Sequence, residues 1–180
     1  KKILIISAHQ GSVSWTRMLN KISDNDNIET HELFSYTDRE YRNNVGIFNL
    51  IRIRFKTFIS FPLYVLIKKK FFFNEYFKII VITSPFFLPA LVCFRLKHKE
   101  IITLYNDLFP RALVLKRIIR TNGVVENWIK NMNLYTYRNS STSIFINDLH
   151  HDFSVSNYNF SNKFEIINVP SLLDLSLIRI

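Results

Sequence analysis

Short apolar runs alternate with amphipathic stretches along this chain. The first run, KKILIIS, is apolar at successive positions before it ends in a small polar residue, which is typical of a central parallel strand with both faces covered. Further runs rich in Ile, Val, Thr and Phe follow, several of them bounded by Gly, Pro, Asn or Asp. The predicted strands are residues 1–7, 28–36, 78–84, 100–105, 142–146 and 163–169.

The intervening stretches place apolar residues at helical spacing. In residues 47–60, Ile47, Ile51 and Phe55 fall on one side of a helix while Arg52 lies opposite. Pro62 is expected to end this helix, because an interior proline removes a hydrogen bond and clashes with the preceding turn. The predicted helices are residues 13–22, 47–60, 63–70, 86–96, 113–119 and 124–137.

Alternating strands and helices predict an α/β fold. Right-handed crossovers between successive strands give a Rossmann-like, mostly parallel sheet with helices on both faces. The length of 180 residues fits one domain, and Gly-x-Gly-x-x-Gly is absent, so a dinucleotide-binding fingerprint is not supported. In the helix 124–137, the residues expected to face the core are Trp128, Ile129, Met132 and Tyr135.

Polar and small residues follow the predicted strands. In open α/β sheets ligands bind beyond the carboxyl ends of the strands, so we expect a cleft there. Asp107 is the candidate catalytic residue, because an apolar run stops abruptly at this carboxylate; the alternative is that Asp107 only caps the helix beginning near Pro110. The candidate cleft or ligand-binding residues are His9, Gln10, Gly11, Ser84, Pro85, Asn106 and Asn147.

Positive charge and aromatic rings concentrate in residues 41–77. The chain carries a net charge of +10, and seven basic but no acidic residues lie in residues 41–74. Basic groups attract anionic lipids and apolar rings enter the interface, so this segment is predicted to be a membrane-facing insertion; the alternative is an ordinary helix that buries its stripe on the sheet. Nucleic acid is not expected as a partner, because binding to its phosphates would not require the aliphatic stripe that accompanies the basic residues. The expected membrane-binding residues are Arg52, Arg54, Lys56, Lys68, Lys69, Lys70, Phe55 and Phe58.

Several classes of protein are disfavoured. The longest apolar run, residues 79–94, contains two prolines and is shorter than the roughly 20 residues of a membrane-spanning helix. Cys93 is the single cysteine, which excludes a disulfide framework and fits a reducing, cytoplasmic setting. Nothing near His150, His151 and Asp152 in the sequence completes a set of three or four converging ligands, so no metal site is expected.

Four stretches together resemble a known family: YNDLFPRALV, VENWIKNMNLYTYRNSST, SIFIND and FEIINVPSLLD. They resemble the amino-terminal half of family-4 glycosyltransferases, two-domain enzymes of the GT-B architecture, especially those making bacterial polysaccharide such as lipopolysaccharide or capsule. In that family Asp-Leu-Trp-Pro-Glu often follows the fourth strand. Here the stretch reads Asp107-Leu108-Phe109-Pro110-Arg111, so Arg111 replaces the acid.

The resemblance implies a division of work between two domains. The amino-terminal domain receives the acceptor, and a carboxyl-terminal domain outside these 180 residues binds the nucleotide-sugar donor. No cofactor or metal is implied in the amino-terminal domain. We therefore expect one half of a longer enzyme that transfers a sugar to a lipid-linked or polysaccharide acceptor, peripherally bound at the cytoplasmic face of the cell membrane.

Two alternatives remain open at the level of sequence. Another enzyme on the same two-domain fold, such as a nucleotide-sugar epimerase, has a soluble substrate and does not need the basic segment. A non-enzymatic peripheral membrane module uses that segment and nothing at the cleft. A second Rossmann-like half with a Glu-x₇-Glu pair in the same protein would distinguish the transferase from the module.

Overall fold

The computed structural model describes residues 1–9, 29–43, 46–68, 70–96, 99–106, 109–145, 148–158 and 164–166. Within these ranges six strands form one sheet, and all neighbouring strands are parallel. Helices flank the sheet, so the predicted Rossmann-like α/β fold is confirmed. The strands are β1 (Lys2–Ile6), β2 (Glu29–Leu33), β3 (Lys78–Ile82), β4 (Glu100–Tyr105), β5 (Thr142–Phe145) and β6 (Phe164–Ile166).

The order of strands across the sheet is β2-β1-β3-β4-β5-β6. The chain runs from β1 outward to β2 and then returns across β1 to β3, so the direction of winding reverses between β1 and β3. Ile6 pairs with Leu33 of β2 and with Val81 of β3, so the three strands end at nearly the same level. In sheets of this kind the reversal opens a crevice at the carboxyl ends of the strands.

Both faces of the central strands are buried, as the sequence predicted. Leu4 and Ile6 pack on one side of the sheet with Ile79, whereas Ile5 packs on the opposite side with Ile80. Because side chains alternate across a strand, successive residues of β1 fill two layers of core, which explains its unbroken apolar sequence.

Helical segments connect β2 to β3: α1 (Asp38–Asn43), α2 (Ile47–Phe55), α3 (Phe61–Ile67) and α4 (Lys70–Asn74). A capping box stabilises the start of α1. The N–H of Glu40 donates to Oγ1 of Thr37 at 3.1 Å, and the N–H of Thr37 donates to Oε2 of Glu40 at 2.8 Å. Such a reciprocal pair satisfies two backbone donors at the start of a helix.

Residues 47–67 form one long helix, because a π-helical turn, Lys56–Ser60, joins α2 to α3. The prediction that Pro62 ends this helix was wrong. The N–H of Phe61 donates to the carbonyl oxygen of Lys56, five residues earlier, and Pro62 then lies in the first turn of α3. The helix thus continues through Pro62, directly after a turn in which π-helical bonding replaces the regular α-helical pattern.

The long helix packs on the domain through a row of residues four apart, namely Ile53, Thr57, Phe61 and Val65, all of which are buried. The apolar stripe found in the sequence lies on a different face, so the interpretation that this stripe packs on the sheet was wrong. Five apolar residues on this face are exposed, and we call them the exposed stripe: Ile47 (71% exposed), Phe48 (85%), Ile51 (58%), Phe55 (55%) and Ile59 (46%).

Two phenylalanine positions depart from the prediction of a membrane-facing segment. Phe58 was assigned to the stripe, but it is half-buried and its ring centroid lies 6.1 Å from that of Phe87. Phe73 is fully buried in the core, where the partly buried Phe72 packs beside it. Phe72 and Phe73 therefore help to close the core, and Phe73 is not available to a lipid surface.

The remaining helices are α5 (Leu88–Arg95), α6 (Arg111–Leu115), α7 (Val124–Asn139) and α8 (Asp148–Tyr158). In α7 Ile129 is buried as predicted, whereas Trp128 is 53% exposed, so its assignment to the core was wrong. Asn133 and Thr136 take inward positions because hydrogen bonds satisfy their side chains: Asn133 Nδ2 donates to the carbonyl of Phe109, and Thr136 Oγ1 to that of Met132.

Candidate functional site

A cleft of about 790 Å³ opens at the carboxyl edge of the sheet. One side of it is formed by residues that follow three strands: Ser7 and His9 after β1, Ser84 after β3, and Asn106 after β4. The other side is formed by α1 and the long helix. The cleft thus lies at the reversal of strand order, the usual place for a ligand in this architecture.

Backbone hydrogen bonds hold the loops that form the cleft. The N–H of Ala8 donates to the carbonyl oxygen of Ser84 at 2.9 Å, and the N–H of Tyr36 donates to the carbonyl oxygen of Ala8 at 3.2 Å. His9 and Tyr36 form a parallel bridge, and Ser7 Oγ donates to the carbonyl oxygen of His9. The position of His9 at the cleft is therefore fixed by the ends of three strands.

Three aromatic rings form one end of the cleft. The ring of His9 lies 5.0 Å from that of Tyr36 and 6.1 Å from that of Tyr41, and the two tyrosine rings stack at 6.0 Å between centroids. Tyr41 belongs to α1, which the capping box holds in place. Rings of this kind offer apolar faces together with polar edges, and so suit a ligand that has both characters.

One face of the long helix lines the cleft through Leu50, Ile53, Arg54, Thr57 and Phe58. These residues recur at intervals of three and four, so they point to the same side of the helix. Arg54 is exposed, whereas Thr57 is 6% exposed and its Oγ1 has no hydrogen-bond partner in the described part of the chain. This face is separate from the exposed stripe.

Phe86 and Phe109 make the opposite wall of the cleft apolar. Their ring centroids lie 5.3 Å apart, and Trp128 contacts Phe86 edge-on at 6.2 Å. The backbone of this wall is anchored, because the N–H of Asn106 donates to Thr83 Oγ1 at 3.0 Å. The wall joins the ends of β3 and β4.

A second, enclosed cavity lies between β4, β5, α7 and α8, lined by Tyr105, Tyr137, Phe145 and His150. Its volume of about 10 Å³ is no more than a single water needs. Tyr137 donates its hydroxyl to Ser154 Oγ at 3.0 Å inside this aromatic cluster. The cavity is a packing feature of the core and too small for a substrate.

The structure brings four of the predicted cleft residues together: His9, Ser84, Pro85 and Asn106 all line the cleft. Their role in binding stays a prediction. Asp107, the candidate catalytic residue, lies outside the described residues, as do Gln10, Gly11 and Asn147.

Sequence reasoning missed Tyr36, Tyr41 and Thr57 as residues of the cleft. Tyr36 ends the predicted second strand, so the rule that ligands bind at strand ends could have identified it. Tyr41 could have followed from the capping-box spacing of Thr37 and Glu40. Nothing in the sequence distinguishes Thr57, because its position depends on how the long helix packs.

The adjacent histidines His150 and His151 lie in α8 and have different surroundings. Across the described ranges, no three His, Cys, Asp or Glu side chains lie close enough together to hold a metal ion. His151 Nδ1 lies 3.0 Å from Oδ1 of the neighbouring Asp152, while His150 lines the small cavity.

Basic side chains of the segment 41–77 have different surroundings. Lys56 Nζ lies 3.4 Å from Oε1 of Glu40. The hydrogen bond from the N–H of Thr37 holds the pKa of Glu40 below its usual value, and the charge of Lys56 lowers it further. This carboxylate is therefore charged and partly offsets the positive charge of Lys56. Arg52, with Lys56, lines a neighbouring hollow of about 310 Å³.

At the other end of the long helix, Lys68 donates to the Tyr64 hydroxyl at 2.7 Å and sits 4.5 Å from the ring centroid of Phe72. Lys69 lies outside the described residues, and the side chain of Lys70 is not described. Among the helices described, none combines the length and the apolar character that crossing a membrane requires.

Comparisons of the chain with family models, curated proteins and solved structures found no match. The cleft, the exposed stripe and the motifs of the sequence are therefore the features that bear on function.

Proposed function

We propose that this chain is the acceptor-side domain of a nucleotide-sugar-dependent glycosyltransferase that works at a membrane surface. The cleft at the reversal of strand order is the observation that carries the proposal, because it is lined by residues that follow β1, β3 and β4, where open α/β sheets bind their ligands. The stretch Asp107-Leu108-Phe109-Pro110-Arg111, which follows β4, supports the same assignment by its resemblance to family-4 glycosyltransferases.

The proposed division of work has a physical basis. Glycosyl transfer must bring an acceptor hydroxyl to the anomeric carbon of a donor whose leaving group is a charged nucleotide. A cleft that closes between two domains orients both molecules and excludes water, which would otherwise hydrolyse the donor. The cleft of this chain would hold the acceptor, and a second domain would hold the nucleotide-sugar.

The test compares the 180-residue chain with the product of the complete open reading frame, using a panel of nucleotide-sugars and membrane extract as the source of acceptor. We expect sugar incorporation with the complete product and none with the chain by itself. Turnover by the chain alone would contradict the half-enzyme assignment, and a complete frame without a second Rossmann-like half would contradict the transferase.

We propose further that the exposed stripe attaches the domain to an anionic membrane. Phe48 and Ile51 are 85% and 58% exposed, and the exposed Arg52 follows Ile51 on the same helix. Apolar side chains on one side of a helix, with basic residues beside them, are typical of helices that lie in the plane of a lipid interface. Each basic group near such a surface contributes on the order of 1 kcal/mol, and burial of the stripe adds a salt-independent part.

Flotation with anionic and neutral liposomes tests the attachment. The variant F48S/I51S should stay in the soluble fraction while the unaltered chain floats with anionic liposomes. The matched control is V124S/L149S, which removes two equally exposed apolar side chains from α7 and α8, 87% and 76% exposed, and should float normally. Equal flotation of F48S/I51S and the unaltered chain would contradict the proposal.

The exposed stripe equally favours a non-enzymatic peripheral membrane module. That alternative predicts liposome flotation without any sugar incorporation by the complete protein. It also predicts that substitutions in the cleft, such as H9A, leave every measurable property other than stability unchanged.

A further inference from the structure

Two guanidinium groups face the cleft, and none of the described residues that line it carries a counter-charge. Arg42, from α1, and Arg54, from the long helix, both line it and are both exposed. Neither has an ion pair or hydrogen bond in the described ranges, and no described Asp or Glu lines the cleft. Glu40, the nearest acid along α1, faces the neighbouring hollow and pairs with Lys56. Planar guanidinium groups bind phosphate oxygens in pairs, so this end of the cleft suits a phosphate.

The rest of the cleft is mainly apolar. Ile82, Phe86 and Phe109 form its inner wall, while Ile53 and Phe58 face them from the long helix. Leu50 lies on the same face of that helix, is 51% exposed, and is the sequence neighbour of Ile51 in the exposed stripe. An apolar chain lying in the cleft could therefore leave it over Leu50 toward the surface that we propose to contact lipid.

Thr57 supplies a second, independent indication of a ligand. Its side chain lines the cleft one turn from Arg54, in the π-helical turn, and its buried Oγ1 has no partner in the described part of the chain. A buried hydroxyl without a hydrogen bond is costly, and π-helical turns within α-helices occur frequently at functional sites. A ligand oxygen would satisfy this group.

We propose that the cleft binds an anionic amphiphile, in which a phosphate or diphosphate group is joined to an apolar chain, with the phosphate between Arg42 and Arg54. The proposal rests on the proposed function, since it names the class of acceptor as a lipid-linked phosphate. The chain would lie along Phe86, Phe109 and Leu50, and the sugar to be extended would point toward the partner domain.

Isothermal titration of the 180-residue chain with decyl phosphate, below its critical micelle concentration, tests the proposal. Decyl glucoside has the same chain without charge, and inorganic phosphate has the charge without a chain. We expect decyl phosphate to bind at least about tenfold more tightly than either, because both parts of the ligand contribute. Equal affinity for inorganic phosphate would indicate a free-phosphate site and overturn the proposal, as would equal affinity for decyl glucoside.

Substitutions locate the site. R42Q/R54Q should weaken decyl phosphate binding at least about tenfold, and L50E should weaken it by placing a carboxylate at the mouth of the cleft. Leu50 and both arginines are exposed, and thermal unfolding checks that each variant folds. R138Q is the matched control, since Arg138 is exposed on α7 and outside the described lining of the cleft. Unchanged affinity in R42Q/R54Q would overturn the proposal, whatever the result for L50E.

The binding measurement is independent of turnover. Arginine-dependent binding by a complete protein that transfers no sugar would refute the proposed function and support this inference. If the complete protein transfers sugar and R42Q/R54Q binds decyl phosphate as tightly as the unaltered chain does, the inference is refuted and the proposed function stands.

Discussion

The backbone N–H of Ala8 donates to the carbonyl oxygen of Ser84 at 2.9 Å, across the point where the order of strands reverses. This bond joins the residues that follow β1 to those that follow β3. Because Ala8 also accepts hydrogen bonds from the N–H groups of Ser35 and Tyr36, the loop after β2 is tied to the same place. The strand side of the cleft is thus held by the backbone, whereas its other side depends on how the long helix packs.

Phe73 and Phe55 should differ strongly in their contribution to stability. Phe73 is 0% exposed within the core, while Phe55 belongs to the exposed stripe at 55%. Phe73→Ala should lower the free energy of unfolding by about 3–5 kcal/mol, because it opens a cavity in a packed core. Phe55→Ala should change it by less than about 0.5 kcal/mol. Urea unfolding followed by circular dichroism measures both, and similar losses would contradict the placement of the stripe at the surface.

The strands could be predicted well from the sequence because a strand that is buried on both faces has an almost unbroken apolar sequence. β1, β3 and β4 are nearly continuous apolar runs. Polar residues that follow these runs, such as His9 and Asn106, line the cleft. The sheet order was out of reach, since it depends on contacts between segments distant in sequence. The position of the cleft followed from the rule about strand ends, without knowledge of that order.

The helices were harder to predict, for identifiable physical reasons. A helical period shows that one face is apolar but not whether it meets the sheet, solvent or another surface, so Phe58 and Phe55 appeared equivalent although only Phe55 is exposed. The rule that an interior proline ends a helix assumes α-helical hydrogen bonds, and it does not allow for a π-helical turn such as the one before Pro62. The capping box of Thr37 and Glu40, in contrast, was readable from the sequence spacing and would have predicted α1.

Cys93 should be unreactive while the protein is folded. Its side chain is 0% exposed, and burial raises the pKa of the thiol to about 12, so very little thiolate forms at pH 8. A chromogenic disulfide reagent at pH 8 should give no signal from the native protein and one equivalent after unfolding in guanidinium. Cys93 is the only cysteine, so the signal has one source. Rapid reaction of the native protein would contradict the burial of the Cys93 side chain.

Glu126 should make stability depend on pH. The side chain of Lys130, 2.9 Å away, and the N–H of Asn122 hold the pKa of Glu126 below its ordinary value of 4.5 in the folded protein. The contribution is therefore fully present above pH 4.5 and is lost as the pH falls through the folded pKa. Glu126→Gln should be less stable by about 1 kcal/mol at pH 7, and the difference should narrow in acid.

The control for Glu126 is Glu100→Gln. Glu100 also lies near a lysine, at 2.8 Å from Nζ of Lys78, but both side chains are substantially exposed. Solvent screens such pairs, so this variant should stay within about 0.5 kcal/mol of the unaltered chain across the same pH range. An equal pH-dependent loss in both variants would show that the hydrogen bonds which Glu126 accepts from Lys130 and Asn122 are not the cause.

Thr57→Val should make the protein more stable and its cleft a poorer binding site. The substitution replaces a buried hydroxyl, which has no hydrogen bond in the described part of the chain, by a methyl group of similar size. Removing such a group should raise the free energy of unfolding by about 1 kcal/mol. Thr103→Val is a matched control, because Thr103 is 0% exposed on β4, its Oγ1 also has no partner among the described residues, and it is not among the described residues lining the cleft. Both variants should gain stability in urea, but only Thr57→Val should lose affinity for decyl phosphate; equal affinity in the two would remove Thr57 from the proposed site.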